Sequence, residues 1–166
     1  MIQPIAIAAL LLAQAGTPAK PPCVPRDGIR DAAMVLAPHL VEAVADKCKA
    51  HLPATSFLAS GSAGLVTRMK AASAGRANSA AAAVRAVAGD KLPDIKDSEA
   101  LMTMGAAFAG LAVTESLKPE MCPEMSNLVE AMAPLPSENL GRAILSVLVL
   151  AKVGDKGNGP TICPNG

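Results

Sequence analysis

The chain has 166 residues, 51% of them hydrophobic, and a formal net charge of +1. That balance, with no interleaving of aromatic and basic residues, argues against a nucleic-acid binder. Trp and Tyr are absent and Phe57 and Phe108 are the only aromatics, so Ala, Leu, Val and Met must fill the core through many small contacts and close helix–helix approach.

Met1-Ile2-Gln3-Pro4 leads into an apolar run from Ile5 to Ala13, and Ala13-Gln14-Ala15 precedes Gly16. A short apolar core followed by Ala-x-Ala reads as a secretory signal peptide, too short to span a bilayer comfortably. The expected organisation is a signal peptide over 1–15, a proline-rich leader over 16–26, a helical domain over 27–153, and an irregular tail over 154–166 carrying Cys163. The expected location is the periplasm or the medium, with no integral membrane segment after signal cleavage. A mature chain of about 150 residues suits one ordinary domain.

Asp27 is a candidate N-cap for a short helix through Leu36, broken at Ala37-Pro38, and Pro38 fits the first turn of a second helix. There Leu40, Val41, Val44, Cys48 and Leu52 share a face, so Cys48 points inward. Thr55 or Ser56 starts a third helix with Leu58, Gly61, Leu65, Met69 and Ala72 inside, ended by Gly75. Asn78 or Ser79 starts a fourth, in which Val84, Val87 and Ala88 form an apolar seam closed by Gly89. Its Ala/Ser/Gly-rich surroundings suit a small-residue packing helix.

Asp97 or Ser98 caps a fifth helix in which Leu101, Met104, Gly105, Phe108, Leu111 and Ala112 keep helical spacing. The pairs Gly105/Ala109 and Ala106/Gly110 offer a flat face for close backbone contact. Cys122-Pro123 opens the next helix, with Met125, Leu128, Val129 and Met132 on one face. Ser137 caps the last, whose apolar run from Ala143 to Ala151 predicts burial nearly all round and a central place in the fold. Leu40-Val41-Glu42-Ala43 and Leu128-Val129-Glu130-Ala131 echo one another without matched flanking spacing.

Cys23, Cys48, Cys122 and Cys163 in an exported chain predict two disulfides. Helical hairpins bring the start of one helix beside the end of the next, which favours Cys23–Cys48 and Cys122–Cys163 among the three pairings. Each closure would contribute about 3–4 kcal/mol on a chain-entropy account.

Charge is uneven. Arg68, Lys70, Arg76, Arg85 and Lys91 stand against Asp90 alone between Pro53 and Lys91, whereas from Leu92 to Leu140 acidic residues dominate over Lys96 and Lys118. Helix faces that partly complement each other explain this, with a basic surface for an anionic partner as the sharper reading.

No catalytic constellation stands out. His39 and His51 fall on different faces of a helix, and Cys48, at metal-compatible spacing from His51, is claimed by a disulfide. Ser60-Gly61-Ser62-Ala63-Gly64 is neither a phosphate loop nor a nucleophile elbow. Thr67-Arg68-Met69-Lys70 matches a Ser-x-x-Lys pair only loosely, and Asp94/Asp97 suit a helix start. Met104, Met121 and Met125 are the candidate soft-metal ligands, though core filling is the simpler role for methionine in a chain so poor in aromatics.

Cys122-Pro123-Glu124, the Leu-Val-Glu-Ala helix, the Pro134-Leu135-Pro136 break, the apolar helix and Cys163-Pro164 resemble small exported helical proteins of Gram-negative bacteria. Among these are four-cysteine immunity proteins that neutralise type VI secretion effectors. Thr103 and Met104 stand where that family carries a cysteine, so no functional residue is carried over.

The fold expected is all-α, a single-domain bundle of about six helices with two disulfide-clipped hairpins. The function expected is a non-enzymatic, cofactor-free protein-interaction module whose partner is another periplasmic or secreted protein; the resemblance implies an inhibitor or immunity factor. The alternative is a periplasmic small-ligand or copper carrier using the methionine-rich half, and a hydrolase comes third.

Overall fold

In the computed structural model residues 23–89, 92–150 and 162–163 are described, with the backbone alone at 144, 145 and 147–150. The expected signal peptide, most of the leader, Ala151 at the end of the expected apolar run, and the tail over 154–161 and 164–166 lie outside the described residues. The fold is all-α. Seven α-helices are described: α1 (Arg26–Cys48), α2 (Phe57–Ser60), α3 (Ser62–Ser73), α4 (Ala77–Ala88), α5 (Ser98–Ser116), α6 (Cys122–Met132) and α7 (Ser137–Leu150).

α1 is the axis. It runs through Pro38 without a break, where two helices were expected. A proline inside a helix removes one hydrogen bond and crowds the carbonyl four residues back, at a cost of about 3 kcal/mol. Here Pro38 is fully buried, and α3, α4, α5 and α7 all pack along α1. Burial offsets the local penalty and holds the helix continuous.

The predicted third helix is instead two. Gly61 separates α2 from α3, and a Cβ there would lie 2.7 Å from the Phe57 ring. Leu58, Leu65 and Met69 are buried as their spacing predicts. Ser56 holds the N-cap position without a side-chain cap bond. The hydroxyl of Ser126, distant in sequence, accepts from the Leu58 amide at 3.2 Å and ties α2 to α6. Gly75 (φ +77°) and Gly89 (φ +55°) end α3 and α4 in the backbone region that glycine tolerates best.

In α4 the buried residues are Ala80, Ala81 and Ala83, and Val87 of the expected seam is exposed. The cause is close approach to α1: a Cβ on Gly28 would sit 3.0 Å from the Ala83 Cβ, leaving no room for valine.

α5 is capped by Asp97, whose carboxylate accepts from the Ala100 amide at 2.6 Å. The flat face expected at Ala106 and Gly110 is the one that meets α1. A Cβ on Gly110 would lie 3.4 Å from that of Ala43. Phe108 is two residues from each, about 160° around the helix, so it turns outward and is 66% exposed, with Leu111 at 58%. The helical spacing that Phe108 and Leu111 share with Leu101 is therefore not the buried stripe of α5, which runs through Leu101, Met102, Ala106 and Gly110.

α6 buries Cys122, Ser126 and Val129, but Leu128, expected beside them, is 51% exposed. α7 buries Leu140 and Gly141, while Arg142, Ala143 and Ser146 face solvent. Ala143 therefore departs from the expected all-round burial. The central position belongs to α1.

The disulfides pair Cys23 with Cys163 and Cys48 with Cys122, correcting both expected hairpin closures. Continuity of α1 is the reason. With Cys23 ahead of a 23-residue helix and Cys48 at its end, the two thiols are roughly 35 Å apart at 1.5 Å per residue, far beyond disulfide reach. Cys48 instead meets Cys122 at the start of α6, both essentially without solvent contact. Cys163 joins Cys23 beside a short parallel bridge between Val24 and Ile162, with the Cys163 amide donating to the Val24 carbonyl at 3.0 Å.

Candidate interaction surface

The basic residues of α3 and α4 are engaged within the fold. Arg76 donates to Asp31 at 2.7 Å and also to Glu138, joining α1, the α3–α4 junction and α7. Its hydrogen bond to Asp31 raises its pKa above the ordinary arginine value; desolvation opposes the rise and Glu138 adds to it. Lys70 pairs with Glu42 at 2.6 Å, and His39 lies 3.5 Å from the same carboxylate group. Arg68 donates to the Ala133 carbonyl at the end of α6, at 2.6 Å, and Arg85 donates to the carbonyls of Ile95 and Lys96. Of these contacts only the ion pair of Arg76 with Glu138 joins the basic and acidic stretches as expected; Asp31 and Glu42, the other carboxylates engaged, belong to α1.

The acidic residues of α5 and α6 are left free. Among the described residues Glu115, Glu120, Glu124 and Glu130 make no ion pair, and Lys118 is the only basic residue between Ser98 and Met132. The same arm carries Phe108, Leu111, Met121 and Leu128; among the described residues the other large exposed apolar side chains are Leu135, which follows it, and Val87 of α4.

Two arrangements result. Between α1 and α5 runs an open groove of about 760 Å³ lined by His39, Asp46, Lys47, Thr103, Ala107 and Leu111, among others. On α6, Met125, Leu128 and Met132 follow helical spacing from Met121 in the preceding turn. Glu120 and Glu124 occupy the same i, i+4 row as Leu128 and Met132.

The candidate soft-metal ligands are divided. Met104 packs against the Ala80–Leu101 cluster, Met125 against the cluster holding Val44, Cys48 and Cys122, and Met121 is exposed. Among the described residues no group of His, Cys, Asp or Glu is placed to hold a metal. His51 is exposed in a turn after α1, apart from His39. Ser60, Ser62 and Thr67 donate to carbonyls four residues back. Asp97 is occupied as a cap.

Helical spacing alone groups Phe108 with Leu101, but the sequence also holds the signal that separates them. Once Ala106 and Gly110 are assigned to the close contact, 100° per residue sends Phe108 to the opposite side. No single described helix is long and apolar enough to cross a membrane; α5 with the turn and α6 reach that composition only as a pair bent by 101°. The two disulfides accord with an oxidising, extracytoplasmic compartment.

No protein-family model, no curated protein and no solved structure matches the chain.

Proposed function

We propose that the protein is an exported, non-enzymatic interaction module, working in the periplasm or the medium, which engages another protein through the α5–α6 arm. The observation that carries this reading is Phe108, one of only two aromatics in the chain, held 66% exposed next to exposed Leu111. Phenylalanine and methionine are among the residues enriched in the cores of protein–protein interfaces. The polar side chains that bond across the helices serve the fold, as the Arg76 and Ser126 contacts do. The narrower reading as an inhibitor or immunity factor rests on the resemblance around Cys122-Pro123-Glu124.

The test is affinity purification from the native periplasm or culture medium with the parent and Phe108→Glu side by side. The expected result is a stoichiometric partner retained by the parent and lost by the variant, with helix content equal by circular dichroism. A partner retained equally by both, or none retained by the parent, overturns the proposal.

A further inference from the structure

Resting on that reading, we infer that the partner segment is a cationic amphipathic helix, docked along the Met121/Met125/Leu128/Met132 row of α6 beside Glu120 and Glu124. Three observations converge. First, the row is apolar and methionine-rich. Met121 and Leu128 are about half exposed and Met125 and Met132 are partly buried against the core, so the flexible thioethers have a core-side anchor and a free side. Methionine's adaptable shape suits a surface that must fit the apolar stripe of a helix.

Second, the spacing is that of a seam. Positions 121, 125, 128 and 132 follow the alternating four-three-four spacing of the apolar positions in a heptad, the pattern by which one helix keeps its apolar edge on another. On α6 itself, burial follows a different line, through Cys122, Ser126 and Val129. The row is therefore additional to the one that holds α6 to α1 and α2.

Third, charge selects the occupant. Glu120 and Glu124 continue the Leu128/Met132 ridge and have no ion-pair partner among the described residues, while Arg68, Lys70, Arg76 and Arg85 are held in internal contacts. A partner helix with Lys or Arg flanking its apolar stripe gains at both edges. A second copy seated α6 on α6 would bring these glutamates no cationic partner from its own α6, since Lys118, before that helix, is the only basic residue between Ser98 and Met132, and an anionic bilayer surface would be repelled by them. Charge complementarity thus favours a cationic protein helix over both.

The probe is a fluorescein-labelled 18-residue peptide with leucine at heptad a and d positions and lysine elsewhere, followed by anisotropy against the intact, oxidised protein. Its comparators are a leucine/glutamate peptide of the same pattern and a leucine/lysine peptide with the pattern scrambled. Saturable binding of the first alone is expected, weakened about tenfold by Leu128→Ala and by Glu124→Lys and weakened further by added salt. Glu99→Lys, at the far end of α5, should leave the affinity unchanged. Both altered α6 positions are exposed, so folding should survive, and circular dichroism of each variant checks it.

Equal binding of the scrambled or acidic peptide, or affinity indifferent to Leu128→Ala and Glu124→Lys, overturns the inference. So does self-association of the parent abolished by Leu128→Ala in sedimentation, or binding to phosphatidylglycerol vesicles through the same row. If a Phe108-dependent partner is found and the cationic peptide does not bind, the partner chemistry alone fails; if Phe108→Glu retains every partner, the interaction reading itself fails.

Discussion

Arg76 reaches two carboxylates of very different worth. Asp31 is nearly buried and would keep only Arg30, at 3.9 Å, if Arg76 were removed; Glu138 is half exposed, where solvent screens most of the attraction. Arg76→Met should therefore destabilise the protein by about 2 kcal/mol, in the range for leaving a desolvated charge under-compensated. Glu138→Gln should stay within about 0.5 kcal/mol. Urea denaturation followed by far-UV circular dichroism measures both, and equal effects would mean that Asp31 is not the dominant partner. Because the folded-state pKa of Arg76 is raised, its contribution is complete below the unfolded arginine value and lost only as pH climbs through the folded one. The ionisation of Arg76 therefore leaves stability unchanged across neutral and mildly alkaline pH. Gly61→Ala places a Cβ against the Phe57 ring, and about 1–3 kcal/mol is expected for such overpacking.

At the scale of elements, α5 gives the sharpest contrast. Leu101 is almost inaccessible whereas Phe108, on the same helix and larger, is mostly in solvent. Leu101→Ala should cost about 2–5 kcal/mol and Phe108→Ala no more than about 0.5 kcal/mol; the reverse order would put the helix the other way round. The sequence made much of this helix legible: its start at Asp97 and its small-residue face. It misled on which stripe goes inside, because hydrophobic periodicity ranks Phe108 above Gly110, while contact with α1 is decided by how near two backbones can come. The same conflict explains Val87 of α4. Pro38 misled differently, since its penalty is local and visible in sequence but the burial that offsets it comes from α3, α4, α5 and α7. The free acidic row of α6 was hidden for a related reason. Which charges are free emerges only after the fold has paired the others, as Arg76 and Lys70 show.

At the scale of the whole molecule, the four cysteines were read correctly as disulfide-forming and wrongly as neighbours in pairs. Non-reducing peptide mapping should recover Cys23 with Cys163 and Cys48 with Cys122. Under graded reductant the first should open before the second, because Cys23 is exposed while Cys48 and Cys122 have almost no contact with solvent, and thiol attack needs access. Simultaneous opening would mean that the region around Cys48 is not closed as described. The bonds are concentric, the span from Cys48 to Cys122 lying wholly inside that from Cys23 to Cys163. A chain delivered amino end first presents Cys23 and Cys48 long before either native partner arrives. An oxidase acting in order of arrival would join those two, and the resulting link would forbid α1 from extending. Correct maturation thus depends on oxidation waiting for Cys122 and Cys163, or on an isomerase undoing the premature bond, and production in a host lacking disulfide isomerase should accumulate the Cys23–Cys48 species.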